Sequence, residues 1–283
     1  VTAAKAAPQP LINSDAEERL LKVIALVQQQ QLNAAIKAAA SLTADIPHFQ
    51  AAQLVYADLL RYRSGKGPLP TLPVAAADKV ILTQYTPVQI DASAKSETLE
   101  QLHGLQEEIK RRVKGATVLP PAGSVPQEFL ALAANVPKAI AIDASQSRLY
   151  LFNNEGGQLR LMGDYYVTVG KLGMGKLEEG DQRTPQGIYF VGRHIPGVKL
   201  PDFYGKGALT VNYPNDWDRV QGRTGSGIWL HGTPPDKFAR LPQASDGCMV
   251  LSNADLLHMI RSVDRLTPVL VRDNLQWRPQ AST

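Results

Sequence analysis

The sequence predicts an α+β chain in two parts, an N-terminal α-helical bundle followed by a β-rich domain. Three observations predict it. Apolar residues recur at helical spacing through the first third. The Pro- and Gly-rich stretch VLPPAGSVPQ (118–127) then breaks that pattern. Beyond it, KAIAIDASQSRLYLFNNEGGQLRLMGDYYVTVG alternates in strand fashion and is rich in Ile, Leu, Tyr and Val. A chain of 283 residues has room for two domains, and 44% hydrophobic residues supply a core for each. The boundaries read as 14–115 for a helical accessory domain, 116–137 for a linker and 138–272 for the β-rich domain.

Ser14-Asp15-Ala16-Glu17 has the form of a capping box, with Glu17 placed to reach back to the Ser14 amide. Leu20, Leu21, Ile24 and Val27 follow on one helical face. A second, alanine-rich helix is expected from about Asn33 to Leu42, and a third from about Pro47 to Tyr62, with Pro47 in its first turn. The pair resembles a tetratricopeptide unit, but the repeat signature is incomplete, and a plain bundle is the expectation. After SGKGPLPTLP (64–73), an amphipathic helix is expected from about Glu97 to Val113, with Leu99, Leu102, Leu105 and Ile109 inward. Its charged side, Glu107, Glu108, Lys110, Arg111 and Arg112, reads as solvated. In the second part, a short helical patch is expected around Glu128–Ala134, and NNEGG (153–157) reads as a hairpin turn. Further strands are expected at Gly187–Arg193, Ala208–Asn212, Gly227–His231 and Pro268–Arg272, with one helix at Ala254–Val263.

The net charge of +4 comes from scattered basic residues, without the dense Lys/Arg stripe that tracks a nucleic-acid backbone. It suits an anionic substrate or a cell-envelope surface. No run approaches the ~18 consecutive apolar residues of a membrane span. The opening VTAAKAAPQP lacks the basic and apolar regions of a signal peptide, as expected of a mature chain. One cysteine excludes an internal disulfide and a multi-cysteine metal site, and no metal or cofactor is expected.

That cysteine, Cys248, ends the stretch Ser245-Asp246-Gly247-Cys248, and His231 precedes it in HGTPPDKFARLPQASDGCMVL. A lone thiol is by default a small buried hydrophobe. Here Gly247 allows a tight turn before it, and such a turn can aim successive amides at one point. His231 ends the apolar strand Gly-Ile-Trp-Leu, where an imidazole could take the thiol proton or hold the thiolate as an ion pair. With five histidines in the chain, spacing alone leaves that pairing open.

The stretch HGT…SDGCMVLSNADL resembles the active-site motif of the L,D-transpeptidase catalytic domain, the YkuD-type family. GKLGMGKLEEGDQRTPQGIYFV (170–191) is similar to the family's Gly-Asp-x-x-Thr-Pro-x-Gly element, and KAIAIDASQSRLYLF (138–152) to its opening strand pair. The resemblance implies a sandwich-like domain with the cysteine in a groove under a flap, and a location in the periplasm or cell envelope. It implies peptidoglycan stem peptides as partners, with Cys248 attacking the carbonyl between diaminopimelate and D-Ala, and an amine or water resolving the thioester. His231 would be the general base, the Gly232 carbonyl its orienting group, the amides of Asp246, Gly247 and Cys248 the oxyanion hole, and Ser245 the support of the turn. No cofactor is implied.

Two positions depart from the family. Asp246 stands where a neutral polar residue is common, and Val250 where an Arg follows the cysteine. The missing cation is expected from Arg223, with Lys171 and Arg183 as alternatives. Tyr213 and Trp229 are further candidates to meet substrate, against a plain packing role. The helical part is expected to recruit a protein partner and to stand apart from the chemistry. The competing readings are a carboxypeptidase or amide hydrolase of the same fold, and a peptidoglycan-binding scaffold with an idle cysteine.

Overall fold

The computed structural model describes residues 15–69, 74–76, 79–81 and 96–280, so Ser14 and the 70–73 segment lie outside the described residues. Three helices open the chain, α1 (Asp15–Gln28), α2 (Leu32–Asp45) and α3 (Gln50–Arg63). A short hairpin of β1 (Val74–Ala76) and β2 (Lys79–Ile81) precedes the long α4 (Ser96–Thr117). Leu20, Val23, Ile24 and Val27 of α1 meet Ile36, Leu42, Val55 and Leu59, and α4 closes the cluster with Leu105, Ile109 and Val113. Among the described residues, no helix is long and apolar enough to cross a membrane.

The second part holds β3 (Ser124–Pro126), β4 (Lys138–Asp143), β5 (Arg148–Glu155), β6 (Gln158–Tyr166), β7 (Val169–Gly170), β8 (Gly187–Pro196) and β9 (Gly207–Val211). Then come α5 (Asp216–Val220), β10 (Trp229–His231), β11 (Gln243–Ser245), β12 (Met249–Val250), α6 (Asn253–Ser262), β13 (Pro268–Arg272) and β14 (Trp277–Pro279). Eight strands form one sheet in the order β12-β10-β9-β8-β13-β4-β5-β6. Period-two alternation divides its two faces. Ile140, Ile142, Leu149, Leu151, Val269 and Val271 face one core, closed by Leu256 and Met259 of α6. Ala139, Ala141, Tyr150, Phe152 and Leu270 face the other, closed by Phe129, Leu275 and Trp277.

That second face corrects the linker reading of 116–137. α4 runs to Thr117, β3 pairs antiparallel with β14, and Phe129 is buried against Phe152 with ring centroids 6.0 Å apart. The expected helical patch at 128–134 is absent; these residues form an irregular segment with a turn at each end. A sheet with two apolar faces needs a cover on each, and this segment supplies one of them.

The charged side of α4 is a second correction. Arg112 and Glu108 are buried rather than solvated, at 1% and 2% exposure. Arg112 donates to Glu108 Oε1 and Glu17 Oε2, each at 2.9 Å. Glu17 Oε1 accepts from Arg148 Nη1 of β5 at 2.6 Å, and Arg148 also pairs with Asp164 of β6. The Arg112 guanidinium lies 3.9 Å over the Tyr166 ring. Burial opposes the Glu17 charge, but Arg148 and Arg112 outweigh it and hold its carboxyl below the usual range. The helices are therefore joined to the sheet through matched buried charges and not through a free tether.

Two outcomes follow from this junction. Glu17→Gln removes one charge shared by two buried guanidinium groups; breaking such a pair costs about 3–5 kcal/mol. The melting temperature should then fall by roughly 10 °C, and an unchanged melt would show the junction to be dispensable. A fragment beginning near Gln127 loses both Glu17 and β3. It should aggregate or lack a native far-UV spectrum, whereas a monomer with a cooperative melt would make the β-rich part self-sufficient.

Candidate active site

Cys248 sits where the chain leaves a tight turn to enter β12. Gly247 has φ +120°, and a Cβ there would lie 2.6 Å from the Arg183 carbonyl oxygen, so only glycine fits the turn. Ser245 ties the turn from inside: its hydroxyl donates to the Cys248 carbonyl at 2.6 Å and accepts from the Gly247 amide at 3.2 Å. Thr184 ties it from outside, donating to the Gly247 carbonyl while accepting from the Gly170 amide, each at 2.9 Å. The segments around 170, 184 and 247 thus meet through one hydroxyl.

β10 runs parallel to β12, with His231 opposite Val250 and Leu230 opposite Met249. This register carries His231 to the strand end beside the turn. Its Nδ1 lies 2.7 Å from the Gly232 carbonyl oxygen. A carbonyl only accepts, so Nδ1 carries the proton and Nε2 keeps its lone pair. Burial lowers the imidazole pKa to about 4; the Gly232 contact opposes this and Arg240 reinforces it. The ring is enclosed by Tyr204 and Phe203, with centroids 5.0 and 5.8 Å away. Both belong to the β8–β9 connection, which folds into two short 3₁₀ turns (Gly197–Lys199 and Asp202–Tyr204).

The thiol donates to the Gly227 carbonyl at 3.3 Å. Burial pushes its pKa up; the Trp229 amide, Arg240 and Lys176 pull it down and Asp246 pushes it further up. Asp246 is exposed and accepts from the Gln182 amide at 3.2 Å. Near pH 7 both partners of the pair are therefore neutral, which replaces the thiolate–imidazolium pair as the resting state.

The expected substrate cations are distributed differently. Arg223 is committed to the buried Asp218 at 2.7 Å, and Asp218 Oδ2 also accepts from the backbone amide of Asn215, the N-cap of α5, at 3.1 Å. Arg183 donates to the Met174 carbonyl at 3.0 Å, while Lys171 is exposed and lines a cleft against α4. Tyr213 is corrected to a core residue: it is buried against Tyr189 and donates to the Thr224 carbonyl at 3.0 Å. Trp229 is half-buried beside Tyr204, 5.1 Å between centroids.

The cation that sequence reasoning missed is Arg240. Its guanidinium lies 4.2 Å over the Phe203 ring and acts on both Cys248 and His231. Its carbonyl accepts from Tyr166 Oη at 2.9 Å and Thr168 Oγ1 at 3.0 Å. Thr168 in turn exchanges backbone hydrogen bonds with Val250, both at 2.9 Å. Arg240 is thus anchored beside the strand position where the resemblance expects an Arg. No spacing rule signals it, since it reaches the site from a loop. Among the described residues, no three His, Cys, Asp or Glu side chains converge as a metal set.

The curled sheet and the turn-held cysteine define a class of β-rich domain with a thiol and an imidazole at adjoining strand ends. Residues 137–271, just under half of the chain, match the family model of the L,D-transpeptidase catalytic domain (YkuD). A relative in Escherichia coli K12, named "Putative L,D-transpeptidase YafK", is 32% identical over 97 residues, 34% of this chain and 38% of that protein. The chain thus spans well under half the length of the curated relatives it matches. Bd1075 of Bdellovibrio bacteriovorus is 30% identical with a TM-score of 0.48, covering 55% of each chain. The helical cell shape determining protein Pgp2 of Campylobacter jejuni is 30% identical with a TM-score of 0.47, covering 52% of this chain and 51% of its own.

The electrostatics give a direct expectation. Alkylation of Cys248 by iodoacetamide should be slow at pH 7 and keep rising beyond the ordinary thiol pKa of about 8.5. A rate already at its plateau at pH 6 would mean a resting ion pair and overturn the neutral assignment.

Proposed function

We infer that the chain is a peptidoglycan L,D-transpeptidase acting outside the cytoplasm, with Cys248 as nucleophile and His231 as general base. The observation that carries this reading is the neutral His231 with Nδ1 on the Gly232 carbonyl and Nε2 unprotonated, on the strand beside the Cys248 turn, within the residues that match this family's model.

The thiol proton passes to His231 Nε2 as sulfur attacks the carbonyl between diaminopimelate and D-Ala of a tetrapeptide stem. The oxyanion that forms takes hydrogen bonds from the amides of the turn. Gly247 N–H is engaged by Ser245, so Asp246 and Cys248 are the amides assigned to it. The C–N bond then breaks, the imidazolium returns its proton to the departing amine of D-Ala, and a thioester remains. An amine acceptor attacks the thioester, gives its proton to His231, and the C–S bond breaks to restore the thiol. A proton transfer coupled to attack suits a site whose burial disfavours both the thiolate and the imidazolium.

Incubation with disaccharide-tetrapeptide should release D-Ala and yield a cross-linked or amine-exchanged product by mass spectrometry. Only a shortened tripeptide would instead show hydrolysis, and no product at all would leave the scaffold reading. A carbapenem should add its mass to the protein, and Cys248→Ala should abolish the adduct. His231→Ala should slow acylation by about 10²–10⁴-fold. The imidazole accepts a proton only above its own pKa, so wild-type turnover should persist at pH 5 and fall through about pH 4. Equal acylation rates in wild type and His231→Ala, with matched melts, would remove the base.

A further inference from the structure

A cleft of about 760 Å³ separates α4 from the segment between Pro234 and Ala244. It lies partly outside the residues that match the family model, because one wall is α4. Its inner end adjoins the candidate site, since Arg240 and Phe203 line the cleft and also flank His231. A peptide held at the thiol and extending this way would run between the two halves of the protein.

The walls carry opposite charges. Arg240, Lys171 and Lys237 stand on the sheet side, and Glu97 and Glu100 on the α4 side, where Glu107 is paired with Lys110 and Arg111 donates to the Ala144 carbonyl and the Ser147 hydroxyl. The Arg240 guanidinium is stacked on Phe203, and Asp246 acts on it electrostatically without closing an ion pair among the described residues. An Arg desolvated on an aromatic face, with its fork unclaimed, is suited to bind a planar anion. Its backbone is fixed from below by Tyr166 and Thr168, so the side chain presents itself to the cleft from a held anchor. Glu97 and Glu100 are exposed one helical turn apart, so both can address one ligand group.

We propose that this cleft is the subsite for a zwitterionic amino-acid centre on the stem peptide, its carboxylate on Arg240 and Lys171 and its ammonium on Glu97 and Glu100. The inference rests on the peptidoglycan reading above and names the part of that substrate the helical unit reads. The side-chain end of diaminopimelate carries this pair of charges. It makes the helical unit a specificity element, in place of a recruiting domain apart from the chemistry.

The test is a binding cycle in a Cys248→Ala background, by calorimetry with disaccharide-tetrapeptide. The ligand is used intact, with its free side-chain amine acetylated, or with its side-chain carboxylate amidated. Glu97→Gln with Glu100→Gln should weaken binding of the intact ligand about fivefold or more, as for a modest exposed ion pair, and should not weaken the acetylated one further. Arg240→Ala should weaken the intact ligand at least as much and leave the amidated one unaffected. Coupling of this kind identifies a direct partner, because a merely structural effect would act on every ligand alike. Substitutions that act equally on all three ligands overturn the subsite. An effect of Arg240→Ala with the glutamates silent overturns the zwitterion in favour of a simple anion. Intact binding that is insensitive to acetylation and to amidation overturns it even where a variant fails to fold. D-Ala release by the unsubstituted protein is read separately, so a failed reaction with coupled binding sinks the transpeptidase assignment and leaves the cleft standing.

Discussion

The organisation of the molecule depends on one buried exchange of charge, Glu17 between Arg148 and Arg112. A guanidinium does not surrender its proton, so burying it obliges the fold to bring carboxylates to it. Arg148 is fully enclosed on the sheet, and one of its two carboxylates comes from α1, 131 residues away in sequence. Three carboxyls, Glu17, Glu108 and Asp164, stand around two guanidinium groups. The surplus acid is reflected in how they titrate. Glu17 touches both cations and is held below its ordinary value, whereas burial raises Glu108 and Asp164, which touch one each. The close fit of Gly115 against the Arg148 side chain belongs to the same demand, since a Cβ there would lie 2.7 Å from its Cδ.

At the candidate site the same physics works in the other direction. The imidazole is buried and the thiol half-buried, neither with a dedicated counter-ion, so desolvation favours the uncharged form of both. Arg240 favours a thiolate and disfavours an imidazolium, while Asp246 opposes the thiolate. Lys176 contributes less than its charge suggests, because Asp181 neutralises it at 2.8 Å. In the proposed reaction, charge separation is therefore deferred until an oxyanion is forming and the turn amides can meet it.

Much of this was legible in the residue order, and the part that was not has a common cause. Helices and strands declared themselves through local periodicity: β13 spans Pro268–Arg272 as read, and Gly156 and Gly157 take the positive φ that the NNEGG turn requires. The Gly247 turn was legible because backbone conformation near a nucleophile depends on adjacent residues. What failed was the placing of particular charged side chains, although Glu107 on the same helix face is exposed as read. Glu108 and Arg112 occupy helix positions that read as solvated, and it is the arrival of α1, Phe49 and β6 that covers Arg112. Arg223 read as a free cation because nothing in the residue order showed that Asp218, five residues before it, would be buried and paired with it. Arg240 comes to the thiol from a loop whose path is set by Tyr166 and Thr168, far away in sequence. Periodicity reports which face is apolar, and it carries no information on long-range pairing.

The absence of the motif Arg at position 250 and the presence of the helical unit can be understood as one structural arrangement. Val250 is 2% exposed and hydrogen-bonded to Thr168 on its backbone, so the strand places an enclosed apolar side chain where the resemblance expects a cation. A cation brought from the side, by Arg240, keeps one face open to the cleft. But a residue on a loop needs an external anchor, and the anchors lead away from the thiol. The Arg240 carbonyl is held by Tyr166, the Tyr166 ring lies under Arg112, and Arg112 is fixed by Glu17 and Glu108. Its neighbour Leu241 is pressed against Gly104 of α4, where a Cβ would approach to 2.3 Å. The helices thus set the height of the very segment that carries the cation, so the buried charges of the junction and the geometry of the cleft are fixed by the same contacts.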